Sequence, residues 1–376
     1  MPNKSNPILF LSLYTFSLTG GVEKVCKNFI LALQKLFDHG NWKSYSMHDK
    51  AGDFDGDYGD ANHHVAFNGK KLYFITSAIL KGLKANTIIL SHSNLLLVAK
   101  VISLINSKKR FVMFAHGIEV WGELPQWKVN FIKKHVEVWA VSNFTKQVLL
   151  QKHGITKAKT LHNSLSPLIE LPKTFAKPES LVGRYHINAE HPIIYTLTRL
   201  SSAEKYKGYD TVIAALANLK ALGLQFTYLL AGKADAEEQL RIEQLIEANG
   251  LNANVKLIGY LPDDELLEHF LLADVFVMPS KGEGFGIVFI EAAAAGCQVI
   301  AGNMDGSTDA LLHGKLGQLV NPTNEQEIAD AILKAINNQT HQPKQQQALT
   351  VKHFGFDQYL ANLEPLIHPE RLNLAN

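Results

Sequence analysis

Short apolar runs alternate with longer stretches of helical period through most of the chain. Ile8–Leu13 reads as a buried strand. A loop ending Thr19-Gly20-Gly21 follows, and then Val22, Val25, Phe29, Ile30 and Leu33 fall on one helical face. Thr87–Leu90, Phe111–Ala115 and Glu137–Val141 give further strands, separated by helical stretches. From Asn163 to Pro192 the period fades and Pro167, Pro172, Pro178 and Pro192 accumulate, the composition of a linker. The plan then repeats. Ile193–Thr198, Phe226–Ala231, Val255–Ile258, Asp274–Met278 and Gln298–Ile300 read as strands with helices between them. Glu325–Asn337 reads as a closing helix, Asn338–Gln347 as a Gln-rich exposed break, and Phe356–Ile367 as a last amphipathic helix.

Strands alternating with helices favour parallel sheets with crossover helices. The fold class expected is α/β, with two Rossmann-like, doubly wound domains. The first is placed at 1–165, a linker at 166–192, the second domain at 193–350, and a C-terminal helix and tail at 351–376. Two such halves imply a central cleft, with ligands gathered at the C-terminal ends of the strands.

Composition narrows the partners. The longest nearly apolar runs, Ile8–Tyr14 and Ile287–Ala301, are too short or too interrupted to span a bilayer. No charged segment followed by a long apolar one opens the chain, so no signal peptide is expected and the cytoplasm is the expected compartment. Cys26 and Cys297 stand far apart and make neither a disulfide framework nor a zinc pattern. The net charge of +2 hides a split: residues 1–165 hold 21 Lys/Arg against 10 Asp/Glu, about +11, whereas 166–376 hold 16 against 25, about −9. Lys70-Lys71, Lys108-Lys109-Arg110 and Lys133-Lys134 stand out in the basic half. Such a half suits an anionic membrane surface, placing the protein on its inner face, or a phosphorylated lipid. Lysines also simply solvate helix faces. Nucleic acid is not expected as a partner, because no aromatic–basic motif accompanies the lysines.

The densest chemistry lies in Lys281-Gly-Glu283-Gly284-Phe285-Gly286-Ile287-Val-Phe-Ile-Glu291. It follows the run Asp274–Met278 and leads into a small-residue helical pattern closed by Gly296. Strand, glycine loop, helix is the reading. A helix starting near Gly286 or Ile287 aims unpaired N–H groups and a positive dipole end at an anion. Glu283 precedes that helix and Glu291 lies about one turn inside it, so the two carboxylates serve different parts of one ligand. Carboxylates repel phosphate but accept hydrogen bonds from sugar hydroxyls, and the loop therefore suits a sugar nucleotide. Glu291 as a solvated helix residue is the plainer alternative.

Arg199 follows a strand end, and Lys205 and Lys207-Gly208 follow in the same loop, cations suited to a diphosphate. Gly20-Gly21 marks a second strand–glycine–helix junction, without the spacing of a dinucleotide fingerprint or the ending of a triphosphate loop. His116-Gly117-Ile-Glu119 comes straight after Phe111–Ala115, where a histidine can reach a ligand with Glu119 to orient it; His92 has a similar position and a weaker case. Asp53-Phe-Asp55-Gly-Asp57-Tyr-Gly-Asp60 fails as a calcium loop, since its sixth and twelfth positions are Tyr58 and His64.

Together these motifs resemble the retaining nucleotide-sugar glycosyltransferases of GT-B fold that carry a Glu–seven residues–Glu motif, the group 1 family of bacterial surface polysaccharide synthesis. The resemblance runs over nearly the whole chain: Gly20-Gly21, His116-Gly117-Ile-Glu119, Val141-Ser-Asn-Phe144, His162-Asn163, Arg199-Leu200 to Tyr206-Lys207-Gly208, Gly259-Tyr260, Pro279-Ser280 and Glu283 to Glu291. It implies that Arg199 and Lys207 bind the donor diphosphate and that Glu291 holds the ribose. Glu283 and the backbone of Gly284, Phe285, Gly286 and Ile287 would hold the donor sugar and phosphate. Gly259 and Tyr260 would belong to the nucleotide site, Gly20 and Gly21 would contact the diphosphate or acceptor, and His116 the sugar near its anomeric carbon. His116, Glu283, Arg199 and Lys207 are thus the catalytic set. The implied partners are a nucleotide-sugar donor, UDP- or GDP-linked, and a glycan or lipid-linked acceptor. Neither metal nor cofactor is expected. A GT-B protein of another, epimerase-like activity is the alternative, although the Arg199–Lys207–Glu283–Glu291 pattern argues against it.

Overall fold

The computed structural model describes residues 7–37 and 40–368, which fold as two compact units. The first contains residues up to 168 and again from 355; the second is Ile169–Phe354.

Seven parallel strands build the first unit: β1 (Ile8–Ser12), β2 (Trp42–Ser46), β3 (His64–Ala66), β4 (Thr87–Leu90), β5 (Arg110–Ala115), β6 (Val136–Ala140) and β7 (Ala158–Thr160). Their order in the sheet is β3-β2-β1-β4-β5-β6-β7, so the winding reverses between β1 and β4. The central strands are apolar throughout because helices cover both of their faces. On one face lies α1 (Gly21–Leu36), whose Phe29 packs edge-on against Phe10 at 4.8 Å and Phe114 at 5.1 Å. A different core joins α2 (Lys71–Lys84) and α3 (Leu96–Ile105), through Phe74, Ala78, Leu96, Ala99 and Ile102, to Leu9, Leu11, Ile88 and Leu90 of the sheet. The helix Phe356–Ile367 completes this unit: Arg110 donates to the carbonyls of Leu366 and Ile367 at 2.6 and 2.9 Å while pairing with Glu137 at 3.1 Å.

The second unit holds β8 (Ile193–Leu197), β9 (Thr227–Ala231), β10 (Val255–Gly259), β11 (Val275–Met278), β12 (Gln298–Gly302) and β13 (Gln318–Val320), all parallel, in the order β10-β9-β8-β11-β12-β13. The reversal falls between β8 and β11. Its core is built by Ile194, Val277 and Ile300 of the sheet with Val212, Leu216, Ile328 and Ile332 of two helices.

Two stretches differ from expectation. Residues 166–192, expected as a linker, contain the helix Glu179–Arg184 and from residue 169 belong to the second unit. The Gln-rich break is real only to residue 342, because Pro343–Phe354 is a helix. Its glutamines are anchored rather than solvated: Gln346 donates to Cys297 O at 2.7 Å, and Gln347 to Ala294 O at 2.9 Å and Pro172 O at 3.0 Å.

Candidate functional site

In the second unit the loops at the C-terminal strand edge beside the reversal hold most of the expected residues. Arg199 leaves the end of β8, and a turn of 3-10 helix, Ser202–Lys207, follows it. Gly208 then starts the helix Tyr209–Ala221 with φ of +84°, packed so closely on the carbonyl of Pro279 that a Cβ would overlap it. From the neighbouring β11 the chain runs through Ser280–Gly286 into the helix Ile287–Ala294. Gly286, at φ +86°, makes the turn into that helix, which leaves its first N–H groups at the sheet edge.

The two loops are tied together. Lys281 N–H donates to the Tyr206 carbonyl at 3.0 Å, and Gly282 N–H to Ser280 Oγ at 3.0 Å. Lys207 Nζ pairs with Glu283 Oε1, with both side chains about 85% hidden from solvent. Burial alone would lower the Lys207 pKa, but the Glu283 charge and hydrogen bond outweigh it and hold the ammonium above its usual range. Arg199 stands differently: 65% exposed, it pairs at 2.7 Å with Glu204 in its own loop. Glu291, on the second turn of the helix, is buried. Gly259 ends β10, its carbonyl accepting from Gly232 N–H at 2.8 Å, and Tyr260 follows with its ring half exposed.

Asp305 belongs to this network and was not anticipated. It follows β12, fully buried, and accepts from Glu283 N–H at 2.6 Å and Ser307 N–H at 2.9 Å. The Gly306 N–H returns to Glu283 O at 2.8 Å, clamping Glu283 from both sides. Burial pushes the Asp305 carboxyl up to about 6, against the pull of the Ser307 and Glu283 hydrogen bonds. An Asp-Gly-Ser turn two residues beyond a strand was the available signal.

In the first unit, the matching edge gathers the loops after β1, β2, β4 and β5. Asp49, fully buried, accepts from the N–H groups of Thr15, Phe16 and Ser17 at 3.0–3.2 Å and from Ser17 Oγ at 2.6 Å. It fixes the loop that delivers Gly20-Gly21 to the start of α1. His116 Nε2 lies 2.7 Å from the Ser91 carbonyl, so Nε2 carries the hydrogen and Nδ1 the lone pair. Its backbone N–H donates to Glu119 Oε1 at 2.5 Å. Burial drives the His116 pKa down to about 4, and the ring is neutral near pH 7. His92 lies close by, its pKa lowered by burial and by His116 despite the Glu119 charge. The loop at 53–60 is a series of 3-10 turns capped by its own aspartates, Asp55 accepting from Asp57 N–H at 3.0 Å and Asp60 from Asn62 N–H at 2.8 Å. Among the described residues no group of three or more His, Cys, Asp or Glu is placed to hold a metal ion.

Two parallel, doubly wound sheets, each with its polar loops at the C-terminal strand edge by the reversal, define a GT-B fold of two Rossmann-like domains. The crystal structure of Anabaena Alr3699/HepE in complex with UDP shares that fold with a TM-score of 0.78 at 20% identity, over 96% of this chain and 100% of the other. Residues 182–350 match the model of the glycosyl transferases group 1. Among curated proteins, the GDP-mannose-dependent alpha-(1-6)-phosphatidylinositol monomannoside mannosyltransferase of Mycobacterium tuberculosis is 35% identical over 172 residues, 44% of this chain and 43% of that protein. The protein of the same name from Mycolicibacterium smegmatis is 28% identical over 267 residues, 67% of this chain and 66% of that protein. The matched stretch thus spans less than half the length of the first relative.

Proposed function

We propose that this protein is a glycosyltransferase that moves a hexose from a UDP- or GDP-linked sugar to a glycan or lipid-linked acceptor in polysaccharide synthesis, with retention of configuration. The observation that carries the reading is the Lys207–Glu283 pair, clamped through Asp305 beside the start of the helix Ile287–Ala294. A buried cation and a carboxylate side by side answer the two ends of a sugar diphosphate, phosphate and hydroxyls. The relatives' names, which specify GDP-mannose, and the UDP of the HepE complex support a nucleotide-sugar donor.

In this reading negative charge builds on the diphosphate as the glycosidic bond breaks and the sugar passes through an oxocarbenium-like state. Lys207 and Arg199 meet that charge as fixed donors, the main electrostatic lever available. Arg199, itself exposed, exchanges its Glu204 partner for the phosphate. Glu291 accepts from the ribose hydroxyls and Glu283 from the donor sugar. Neutral His116, with Nε2–H committed to Ser91, presents a lone pair and not a cation to the sugar. With these cations in place the reaction runs without a divalent ion or a cofactor.

Thermal-shift titrations with UDP, GDP and TDP, followed by incubation with a panel of nucleotide sugars with and without EDTA, test it. Stabilisation by at least one nucleotide and EDTA-insensitive consumption of its sugar conjugate are expected. No shift and no consumption would overturn the reading, and conversion of the donor to its epimer without transfer would assign the epimerase-like alternative.

A further inference from the structure

The layer formed by α2 and α3 has two unlike sides. Inward, Phe74, Ala78, Leu96, Ala99 and Ile102 are fully buried against the sheet. Outward, Leu72 is 81% exposed, Leu80 66%, Leu97 56%, Leu104 79% and Ile105 61%, with Tyr73 beside them at 64%. These positions recur at three- and four-residue steps, 72–76–80 and 97–101–104, so each helix shows solvent an apolar stripe, interrupted in α2 by Thr76 and carried in α3 through the half-buried Val101. The two helices pack side by side over one core, which puts both stripes on one face. Scattered exposed leucines need no explanation, but a contiguous face does.

The charges carried by these two helices and the segments that flank them all have one sign. Between Asp60 and Glu119 the chain contains no acidic residue, while Lys70, Lys71, Lys81, Lys84, Lys100, Lys108, Lys109 and Arg110 fall within it. Arg110 is spent on Glu137 and the last helix, which leaves the lysines to the surface. Lys100 lies 5.1 Å over the ring of Trp127, an amphipathic aromatic at the margin. A second copy of this face would set lysine against lysine, so a self-paired interface is disfavoured. Interleaved leucines and lysines match a surface that is apolar beneath and anionic above.

We infer that the outer face of α2 and α3 docks this protein on an anionic phospholipid bilayer, the leucines entering the acyl boundary and the lysines meeting the phosphates. Among the described residues no helix is long and apolar enough to cross a membrane, and the attachment is in the plane of the interface. The inference stands apart from the transferase reading, because the residues involved lie on the sheet's helical layer and not at its C-terminal edge.

Co-sedimentation of the full chain with phosphatidylcholine vesicles, with and without phosphatidylglycerol and at low and high salt, tests it without any donor present. Binding to the anionic vesicles alone, weakened by salt, is expected. K84E/K100E should lower it at least tenfold, from about fivefold per lysine. L72S/L80S/L104S should lower it as far at high salt, where only the apolar contribution remains. Both variants should keep the wild-type nucleotide shift, which reports an intact second unit, and wild-type hydrogen exchange in β1, β4 and β5, which reports an intact first unit. Absence of binding to anionic vesicles overturns the inference. So does binding that both variants retain, or a concentration-dependent dimer that L72S/L80S/L104S abolishes, which assigns the face to a second copy.

Discussion

The sheet edge of the second unit and that of the first are built from the same topology and different chemistry. Both lie beside a reversal of winding, β8/β11 in one and β1/β4 in the other. The second unit is the acid-rich half, yet its edge presents Arg199, Lys207 and a helix start. The first unit is the basic half, yet its edge holds a neutral histidine, the buried carboxylate of Asp49 and the half-buried one of Glu119. The net charge of each half therefore describes its outer helices and says nothing of its site. Rigidity differs as well: one carboxylate, Asp49, organises the glycine loop of the first unit, whereas Lys207, Glu283 and Asp305 link the loops after three strands of the second.

The largest effect should come from breaking that link. If Lys207 meets the leaving group as proposed, Lys207→Ala should cost about 2.7–4 kcal/mol in transfer. It also leaves Glu283 buried without its cation, at a cost of about 3 kcal/mol or more in folding stability. Glu283→Ala strands the ammonium in the same way. The double variant should be more stable than the sum of the singles allows, with transfer still absent. Denaturant melts and kcat measured on the four proteins separate the two losses; additive stabilities would mean that the pair is not coupled.

Arg199→Ala should cost transfer as much, about 2.7–4 kcal/mol, and stability very little, because an ion pair whose arginine is 65% exposed contributes only about 0–1 kcal/mol. A shift of several degrees in the melting temperature of this variant would contradict that separation.

Acid should act in opposite directions through His116 and Asp305, one in each unit. His116 titrates near 4 folded against 6.5 unfolded, so between those values the unfolded chain binds the proton and the first unit loses stability as pH falls, by about 3 kcal/mol in all. His64, pushed by burial to about 4, adds in the same direction. Asp305 titrates near 6 folded against 3.8 unfolded; the native state binds the proton, and this group adds about 3 kcal/mol to the second unit as pH falls through that window. Hydrogen exchange at pH 4–7 in His116→Asn and Asp305→Asn reads each contribution. Loss of that contribution in β5 for the first and in the loop at 280–286 for the second is expected, and an unchanged pH dependence would remove the residue from this account.

Much of the fold was legible because the central strands are buried on both faces and read as apolar runs: 8–13, 87–90, 111–115, 193–198 and 274–278 all lie within one residue of strands in the structure. Trp42–Ser46, His64–Ala66, Ala158–Thr160 and Gln318–Val320 did not read as strands. The last three are three-residue sheet edges, and Trp42–Ser46 alternates buried with half-buried positions and includes three polar residues. The helix Pro343–Phe354 was hidden by glutamines whose amides are satisfied by distant carbonyls, a form of burial that hydropathy does not record. At the site, Arg199 and His116 could be picked out because each follows an apolar run, and Lys207 and Glu283 because glycines stand beside them. Asp305 could not be joined to Glu283 from the sequence, since the bond exists only because β12 lies beside β11.

Glu291→Ala tests the divided roles of the two carboxylates. Loss of one hydrogen-bonded pair to a ribose should weaken nucleotide-sugar binding by about 1–3 kcal/mol with turnover at saturation largely kept. Glu283→Ala should lower turnover instead. Calorimetric titration with the preferred nucleotide beside steady-state kinetics distinguishes them, and undiminished binding and activity in both variants would leave neither carboxylate in the site.

The smallest effect belongs to Lys205, two residues from Lys207 and identical to it in type. Its side chain is exposed, and the part of Lys205 that the loop uses is its carbonyl, which accepts from Gly208 N–H at 3.2 Å and closes the 3-10 turn before the helix. Alanine keeps that carbonyl. Lys205→Ala should therefore change transfer and stability by less than about 1 kcal/mol, whereas Lys207→Ala two positions on should lose both. The pair makes a demanding control, because a diffuse positive field over the loop would weaken both variants alike and a fixed ammonium would not. If steady-state rates fell as far at 205 as at 207, the diphosphate contact would be the field of the loop, and the buried Lys207–Glu283 pair would be a structural tie between two loops with no direct part in transfer.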